Sequence, residues 1–314
     1  MNYVLEQLVN QKSNFYKMVN SRYREYLWGL RLINVESLWD EGLEGELKKI
    51  RIAIIDSGYD YLHDDLKNIQ PQGFNYINDS MNVCDDFGHG TKICGIIAAP
   101  KRDGGISGIA NGADIVNLKV INDKGIGRIR NIIKAFLWSL ENNIDIINLS
   151  IGHPEELDLE DKYIAELLIQ EYNIVKKAIQ SGIVVVGAVG NMPRSKQQFP
   201  ACCEGVIPVA SYGVVNVEPV KFYASSLNSN FNENTIFAPG EHILTTVIGN
   251  KYAYDSGSSI AAAHITGILA YFKAKNRKLS SYDMHRILIE TSVKIKIDNE
   301  YINIVNTQKA LELL

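Results

Sequence analysis

Five short stretches of the chain are almost entirely apolar and rich in Ile and Val. They cover residues 51–55, 114–121, 144–149, 183–189 and 206–210. The apolar residues follow one another without alternating polar positions, which is typical of strands in a parallel sheet that is covered on both faces. The pattern therefore predicts a mainly parallel sheet at the centre of the molecule.

Helical spacing of apolar residues separates these predicted strands. The first such set is Ile129, Ile132, Ile133, Phe136, Leu137 and Leu140, and the second is Ile164, Leu167, Leu168, Val175, Ala178 and Ile179. Residues 261–272 are small and apolar on all sides, which predicts a helix in the interior of the protein. Alternating strands and helices indicate an α/β fold. We expect one domain, residues 28–314, behind a polar N-terminal extension, residues 1–27.

Composition and charge exclude several classes of protein. The chain has 32 Lys and Arg against 36 Asp and Glu, a net charge of −4, so the basic surface that binds phosphates is missing and we expect no nucleic-acid partner. No apolar run approaches the roughly 20 residues that span a bilayer, so we expect no membrane contact. Residues 1–27 mix charges with Asn and Gln and do not resemble a signal peptide, which predicts a cytoplasmic protein.

Three residues with catalytic chemistry come at or near the ends of predicted strands or the starts of predicted helices. Asp56 ends the first strand, His89 follows a polar loop, and Ser259 precedes the apolar helix. A serine hydroxyl needs a neighbouring base to act as a nucleophile, and an imidazole base needs an acceptor that fixes its tautomer. The order Asp, His, Ser excludes an α/β-hydrolase, in which the serine comes first.

The motifs around these residues resemble those of the subtilase family over nearly the whole chain from Trp28. They are Asp56-Ser57-Gly58, His89-Gly90-Thr91, Ser150-Ile151-Gly152, Gly190-Asn191, Ala238-Pro239-Gly240 and the serine block from Gly257 to His264. The serine block departs from the family pattern at Ser258, Ile260 and Ala263, where the family usually has Thr, Met and Pro, and this puts the rigidity of the serine turn in question. The resemblance implies a subtilisin-like three-layer sandwich, with helices on both faces of the central sheet.

The resemblance also implies the role of each site residue. Ser259 is the expected nucleophile, His89 the general base and acid, Asp56 the residue that orients the imidazole, and Asn191 a donor to the oxyanion. The substrate, a peptide or protein, is expected to bind as an extended strand between two segments and beside a third that walls the pocket for the residue before the scissile bond. These three segments are Gly125, Ile126 and Gly127; Ser150, Ile151 and Gly152; and Ala188, Val189 and Gly190.

No cofactor is required for this chemistry, and no His and Cys spacing indicates a zinc site. The loop 100–108 keeps the length of the family's calcium loop but carries Arg102 where a neutral ligand is expected, near the retained carboxylate Asp65. Calcium needs several oxygen ligands and Arg supplies none. We therefore expect an ion pair between Arg102 and Asp65 in place of calcium, although other ligands could still hold the ion.

The chemistry leaves the substrate open. We predict a monomeric endopeptidase that removes the leader of a lanthipeptide-like precursor; the alternatives are a general intracellular subtilisin and a peptide-binding pseudoprotease. The acidic insertion after Gly152, residues 153–161, is either a solvated helix start or a wall that selects basic substrates. Residues 1–27 are either a helical decoration or an inhibitory segment.

Overall fold

The computed structural model describes Tyr23 and residues 26–153, 161–191, 197–217, 220–223, 231–297 and 300–314. Two features of the sequence lie largely outside these residues: the N-terminal extension up to residue 22 and the acidic residues 155–160. The domain boundary predicted between residues 27 and 28 remains a prediction.

Helices occur throughout the described part of the chain. They are α1 (Trp28–Leu32), α2 (Val35–Trp39), α3 (Glu44–Leu47), α4 (His89–Ala98), α5 (Ile129–Glu141), α6 (Lys162–Gln180), α7 (Ser258–Lys275), α8 (Ser281–Thr291) and α9 (Thr307–Glu312). The predicted helices correspond to α5, α6 and α7. The short helices α1 to α3 and the C-terminal helices were not predicted.

The described strands include the five that the apolar runs predict. They are β1 (Arg51–Asp56), β2 (Gly73–Asn75), β3 (Asp114–Lys119), β4 (Ile146–Leu149), β5 (Val184–Ala188), β6 (Val206–Val217), β7 (Val220–Tyr223), β8 (Ile236–Pro239), β9 (Ile243–Val247), β10 (Lys251–Asp255), β11 (Val293–Ile297) and β12 (Glu300–Ile304). The predicted runs are β1, β3, β4, β5 and β6, and β6 continues well beyond the apolar run.

Most described strands belong to one sheet with the order β11-β12-β8-β6-β5-β4-β1-β3-β2. The neighbours from β12 to β2 run parallel, while β11 pairs antiparallel with β12 and β7 antiparallel with β6. β9 and β10 form a separate antiparallel ribbon. The mainly parallel sheet predicted from the sequence is confirmed.

Side chains of the central strand β1 point alternately into two cores. Ile52 and Ile54 pack in the core that contains α4 and α7, whereas Ala53 and Ile55 pack in the core that contains α5 and α6. A strand that is apolar at every position is therefore one that has helices on both faces. The predicted three-layer α/β sandwich is confirmed.

Helix α7 lies in the interior, as its apolar composition predicts. Every residue from Ile260 to Lys273 is buried. The parallel strands bring the carboxyl ends of β1, β3, β4 and β5 to the same edge of the sheet, and the first turns of α4 and α7 carry the predicted catalytic His and Ser. In open parallel sheets this edge is where ligands bind.

Candidate active site

Asp56 and His89 form the best-defined contact of the site. The Asp56 carboxylate, at the end of β1, lies 2.9 Å (Oδ1) and 2.8 Å (Oδ2) from Nδ1 of His89, the first residue of α4. Asp56 is fully buried, and the His89 side chain keeps 21% of its surface exposed. An imidazole whose Nδ1–H donates to a carboxylate presents Nε2 as a proton acceptor.

The residues before His89 explain why a helix begins there. The buried Asp85 carboxylate accepts hydrogen bonds from the backbone N–H groups of Phe87, Gly88 and Thr91, so it satisfies N–H groups at the start of α4 that have no partner within the helix. Gly90 allows the helix to reach β1, because a Cβ atom added there would lie 2.0 Å from the Gly58 carbonyl oxygen. The capping role of Asp85 was not predicted from the sequence.

Two opposing influences act on the pKa of His89. Burial is the largest single influence, and it lowers the pKa. The charge of Asp56 and its hydrogen bond to Nδ1 together outweigh burial, so the pKa of His89 lies above the ordinary value for histidine. Lys92 and Asp255, which form an ion pair of 2.8 Å, act in opposite directions on the same imidazole. The net effect favours the imidazolium, the state that a general base reaches after it accepts a proton.

Ser259 lies in the first turn of α7 and is half-buried. Its hydroxyl donates to the Ser150 carbonyl oxygen at 3.2 Å, while the Ser150 hydroxyl donates to the Ser259 carbonyl oxygen at 3.3 Å. Within the described residues the hydrogen bond from Ser259 to His89 is not formed, so the serine is held by the segment after β4. Catalytic hydrogen bonds in unliganded sites are often long and tighten when substrate binds.

Asn191 reaches the turn that carries Ser259. Its Oδ1 accepts the Ser258 backbone N–H at 2.9 Å, which leaves the Nδ2 amino group as the donor of this side chain. The Ser258 hydroxyl in turn accepts the Gly190 N–H at 3.2 Å. The Gly190-Asn191 pair and the serine turn are therefore joined by two hydrogen bonds, and Ser258 supplies the hydroxyl that the family's threonine would supply.

Ser150 is also tied to the interior of α7. Asn148 Nδ2 donates to the Ser150 hydroxyl at 2.9 Å, and the Thr266 hydroxyl donates to Asn148 Oδ1 at 2.8 Å. All three residues are buried. This network links the segment Ser150-Ile151-Gly152 to the helix of Ser259, and the polar residue Asn148 within an apolar strand was the signal for it in the sequence.

The segment Gly125-Ile126-Gly127 is not a regular strand. Gly127 forms an isolated bridge to Ile121, and Asn122 donates its N–H to the Ile126 carbonyl oxygen at 3.1 Å, which makes a tight turn in which Gly125 has φ +76°. Ile126 is 58% exposed. The peptide-pairing role predicted for this segment remains a prediction, and the strand geometry expected for it is absent here because the turn bonds to itself.

Lys119 is a charged residue near the site that the sequence analysis did not identify. It pairs with Asp56 in the parallel register of β1 and β3, and its side chain is only 2% exposed. Its Nζ donates to the Ser57 carbonyl oxygen and to the Asp86 carboxylate, both at 2.6 Å. Ser57 donates its N–H to Asp56, so Lys119 connects the carboxyl end of β1 to the loop before His89.

The loop that resembles the family's calcium loop packs against Asp65. The Asp65 carboxylate is fully buried and receives the Arg102 guanidinium at Oδ1, the Ile106 N–H at 2.9 Å and the Tyr252 hydroxyl at 2.8 Å. Among the described residues no group of three or more His, Cys, Asp or Glu could hold a metal ion. A site whose carboxylate is bonded to a guanidinium does not fit calcium, which needs several free oxygen ligands. The predicted Arg102–Asp65 ion pair is present.

The fold and the site define a class of protein. A buried carboxylate bonded to a histidine, and a serine at the start of an interior helix, lie at the carboxyl edge of a mainly parallel sheet, which is typical of serine peptidases with the order Asp, His, Ser. The model of the subtilase family matches residues 47–308, and the chain belongs to that family.

Relatives and solved structures agree with this assignment. The chain is 33% identical over 290 residues to an "Intracellular serine protease" of Paenibacillus polymyxa, covering 90% of this chain and 82% of the relative. It is 32% identical over 285 residues to the "Major intracellular serine protease" of Bacillus subtilis, covering 86% and 83%. The crystal structure of fervidolysin from Fervidobacterium pennivorans, a keratinolytic enzyme related to subtilisin, shares the fold with a TM-score of 0.79 at 23% identity, covering 96% of this chain but only 47% of fervidolysin.

No helix in the described part of the chain is long and apolar enough to cross a membrane.

Proposed function

We propose that this chain is a serine endopeptidase that cleaves proteins or peptides in the cytoplasm. The observation that carries the proposal is the pair of contacts from the buried Asp56 carboxylate to His89 Nδ1, 2.8 and 2.9 Å, at the same sheet edge as Ser259. The names of the two relatives, both intracellular serine proteases, support the location.

The proposed reaction uses each residue at a stated atom. His89 Nε2 accepts the Ser259 hydroxyl proton while Oγ bonds to the substrate carbonyl carbon. The carbon–nitrogen bond then breaks, the same proton passes to the leaving amine, and water hydrolyses the acyl-enzyme by the reverse sequence of proton transfers. Asn191 Nδ2 and the Ser259 N–H stabilise the oxyanion, since Ser259 lies in the first turn of α7 and the Asn191 side chain is hydrogen-bonded to that turn at the Ser258 N–H.

Substrate binding follows from the position of Ser150. A peptide that lies as an extended strand along Ser150-Ile151-Gly152, with Gly125-Ile126-Gly127 opposite, places its scissile carbonyl next to Ser259. A peptide N–H that bonds to the Ser150 carbonyl oxygen replaces the Ser259 hydroxyl, which currently donates to that oxygen. Substrate binding would thereby free the serine to bond with His89.

Labelling by a fluorophosphonate probe tests the activity. We expect the wild-type protein to be labelled at Ser259, and the Ser259→Ala and His89→Ala variants to remain unlabelled. Folded wild-type protein that binds peptide but takes no label would contradict the proposal and favour a pseudoprotease.

General proteolysis is the better supported of the two substrate hypotheses, because both relatives are named as intracellular proteases without a dedicated substrate. The removal of a lanthipeptide-like leader has no support from the relatives. Digestion of an unfolded protein separates the two hypotheses: a general protease yields many fragments, whereas a leader peptidase leaves it almost intact.

A further inference from the structure

The side chain of Gln198 fills the space beside two glycines of the substrate-binding segments. A Cβ atom added to Gly152 would lie 2.0 Å from Gln198 Oε1, and one added to Gly190 would lie 2.7 Å from Gln198 Cδ. The carboxamide is therefore in direct contact with both segments. The segment of Gly152 is expected to pair with the substrate strand, and the segment of Gly190 is expected to wall the pocket for the residue on the amino side of the scissile bond.

Backbone hydrogen bonds hold Gln198 in this position. Its N–H donates to the Val189 carbonyl oxygen at 3.1 Å, which ties it to the segment before Asn191. The next residue, Phe199, accepts the His153 N–H at 3.3 Å, which ties the same turn to the segment after Ser150. Because the turn is bonded to both sides of the cleft, Gln198 cannot withdraw as a unit, and only rotation of its side chain can clear the space.

The packing behind Gln198 makes the cleft stiffer. The rings of His153 and Phe199 stack with centroids 5.4 Å apart and an interplanar angle of 19°. His153 Nε2 lies 2.7 Å from Oε2 of Glu171, whose side chain is fully buried. The residue after Gly152 is thus bonded to α6, and the residue after Gln198 packs against it, which holds the two segments together behind the cleft.

We propose that Gln198 closes the pocket for the residue on the amino side of the scissile bond, so that the enzyme cleaves after residues with small side chains. The proposal rests on the function proposed above and names its substrate class: segments with Ala, Ser or Gly at this position. A large apolar side chain can enter only if the carboxamide rotates away from Gly152 and Gly190.

A set of matched tetrapeptide p-nitroanilides that differ only in the last residue, Ala, Leu or Phe, tests the proposal. For the wild-type enzyme we expect kcat/KM to be at least about 10-fold higher for Ala than for Phe, the discrimination that a few methylene groups in a closed pocket provide. In Gln198→Gly the ratio should shift toward Phe by about 10- to 100-fold. Gln198→Ala should shift it in the same direction without adding a flexible glycine, which covers the case in which Gln198→Gly folds poorly.

Two further variants separate the effect of the Gln198 side-chain volume from the effects of its carboxamide and of backbone flexibility. Gln197→Gly adds the same backbone freedom one residue earlier, where the side chain instead bonds to the Thr235 hydroxyl at 2.8 Å, and should leave the ratio unchanged. Gln198→Leu keeps the volume without the carboxamide and should keep the preference for Ala. A wild-type enzyme without preference for small residues, or a Gln198→Leu variant that behaves like Gln198→Gly, would overturn the proposal.

Binding to the inactive Ser259→Ala variant separates this proposal from the proposed function. The affinities of the same peptides, measured by calorimetry, should follow the order Ala, Leu, Phe. If the wild-type protein cleaves nothing but this order holds, the proposed function fails and the pocket assignment stands. If the wild-type protein cleaves all three equally, the pocket assignment alone fails.

Discussion

Arg102 provides a direct test of the prediction that its ion pair with Asp65 stands in place of calcium. The Asp65 carboxylate is fully buried, whereas the Arg102 side chain is 33% exposed. Removing one partner of a fully buried ion pair costs about 3 to 5 kcal/mol, and exposed pairs contribute about 0 to 1 kcal/mol. The Ile106 N–H and the Tyr252 hydroxyl remain on Asp65 after the change, so an intermediate value of about 2 kcal/mol is expected for Arg102→Met.

Thermal unfolding measures this loss. A stability change of about 2 kcal/mol lowers the Tm of a domain of this size by about 3 °C. The measurement is made in a Ser259→Ala background, which prevents autolysis during heating. Lys67→Met is the matched control, because Lys67 forms an exposed pair with Asp64 nearby, and the Tm should change by less than about 2 °C.

The dependence of the Tm on calcium can refute the prediction that the ion pair takes the place of the metal ion. Since the guanidinium occupies Asp65, the Tm of the Arg102-containing protein should be the same in excess EDTA and in millimolar calcium. A Tm that falls in EDTA and returns with calcium would show that other ligands hold the ion. A Tm of Arg102→Met equal to that of Lys67→Met would show that the ion pair does not stabilise the fold.

Four further predictions concern the catalytic residues and Lys119. Because the pKa of His89 lies above its ordinary value, the acidic limb of kcat/KM against pH should have its midpoint above about 6.5, with activity lost as the pH falls and the imidazole becomes protonated. Asp56→Asn removes the charge that raises this pKa, so the limb should move to lower pH while kcat falls by about 10⁴-fold; a limb that does not move would contradict the assignment. Asn191→Ala should lower kcat by about 10² to 10³-fold with KM nearly unchanged, the loss typical of one oxyanion donor, and a change mainly in KM would contradict this role. Lys119→Met should lower kcat by about 10- to 100-fold through displacement of Asp56 and the loop before His89, with partial recovery in Lys119→Arg; a fall in Tm at unchanged kcat would show a purely structural role.

The parts of the fold that the sequence predicts are those in which one physical pattern dominates. Strands buried on both faces are apolar at every position, as in β1, and the interior helix α7 is apolar on every side, so both are visible without knowing their neighbours. β11 (Val293–Ile297) alternates Lys with apolar residues at the edge of the sheet, and the helices α1 to α3 have five residues or fewer. Such elements depend on what they pack against, and they were missed.

The same distinction applies to the site. Asp56, His89 and Ser259 were predicted because short motifs mark them, whereas Lys119 stands inside an apolar strand and Gln198 in a loop without a motif. The role of Lys119 depends on the register that places β3 beside β1. The role of Gln198 depends on a turn that brings it back against Gly152, a residue far earlier in the chain. Contacts between distant segments leave no local pattern, so only the structure shows them.

The serine turn keeps its hydrogen bonds and its packing although three of its residues differ from the family motif. Three departures from the family pattern, Ser258, Ile260 and Ala263, raised the question whether the turn is rigid. In the structure the Gly257 N–H donates to the Gly240 carbonyl oxygen at 2.7 Å, and the Ser258 hydroxyl accepts the Gly190 N–H. Ile260 and Ala263 are 1% and 0% exposed, so both fill the interior as apolar residues do. Ser258 is therefore anchored by a hydrogen bond, and Ile260 and Ala263 pack in the interior, so the turn that carries Ser259 stays tied to its neighbours despite the three departures.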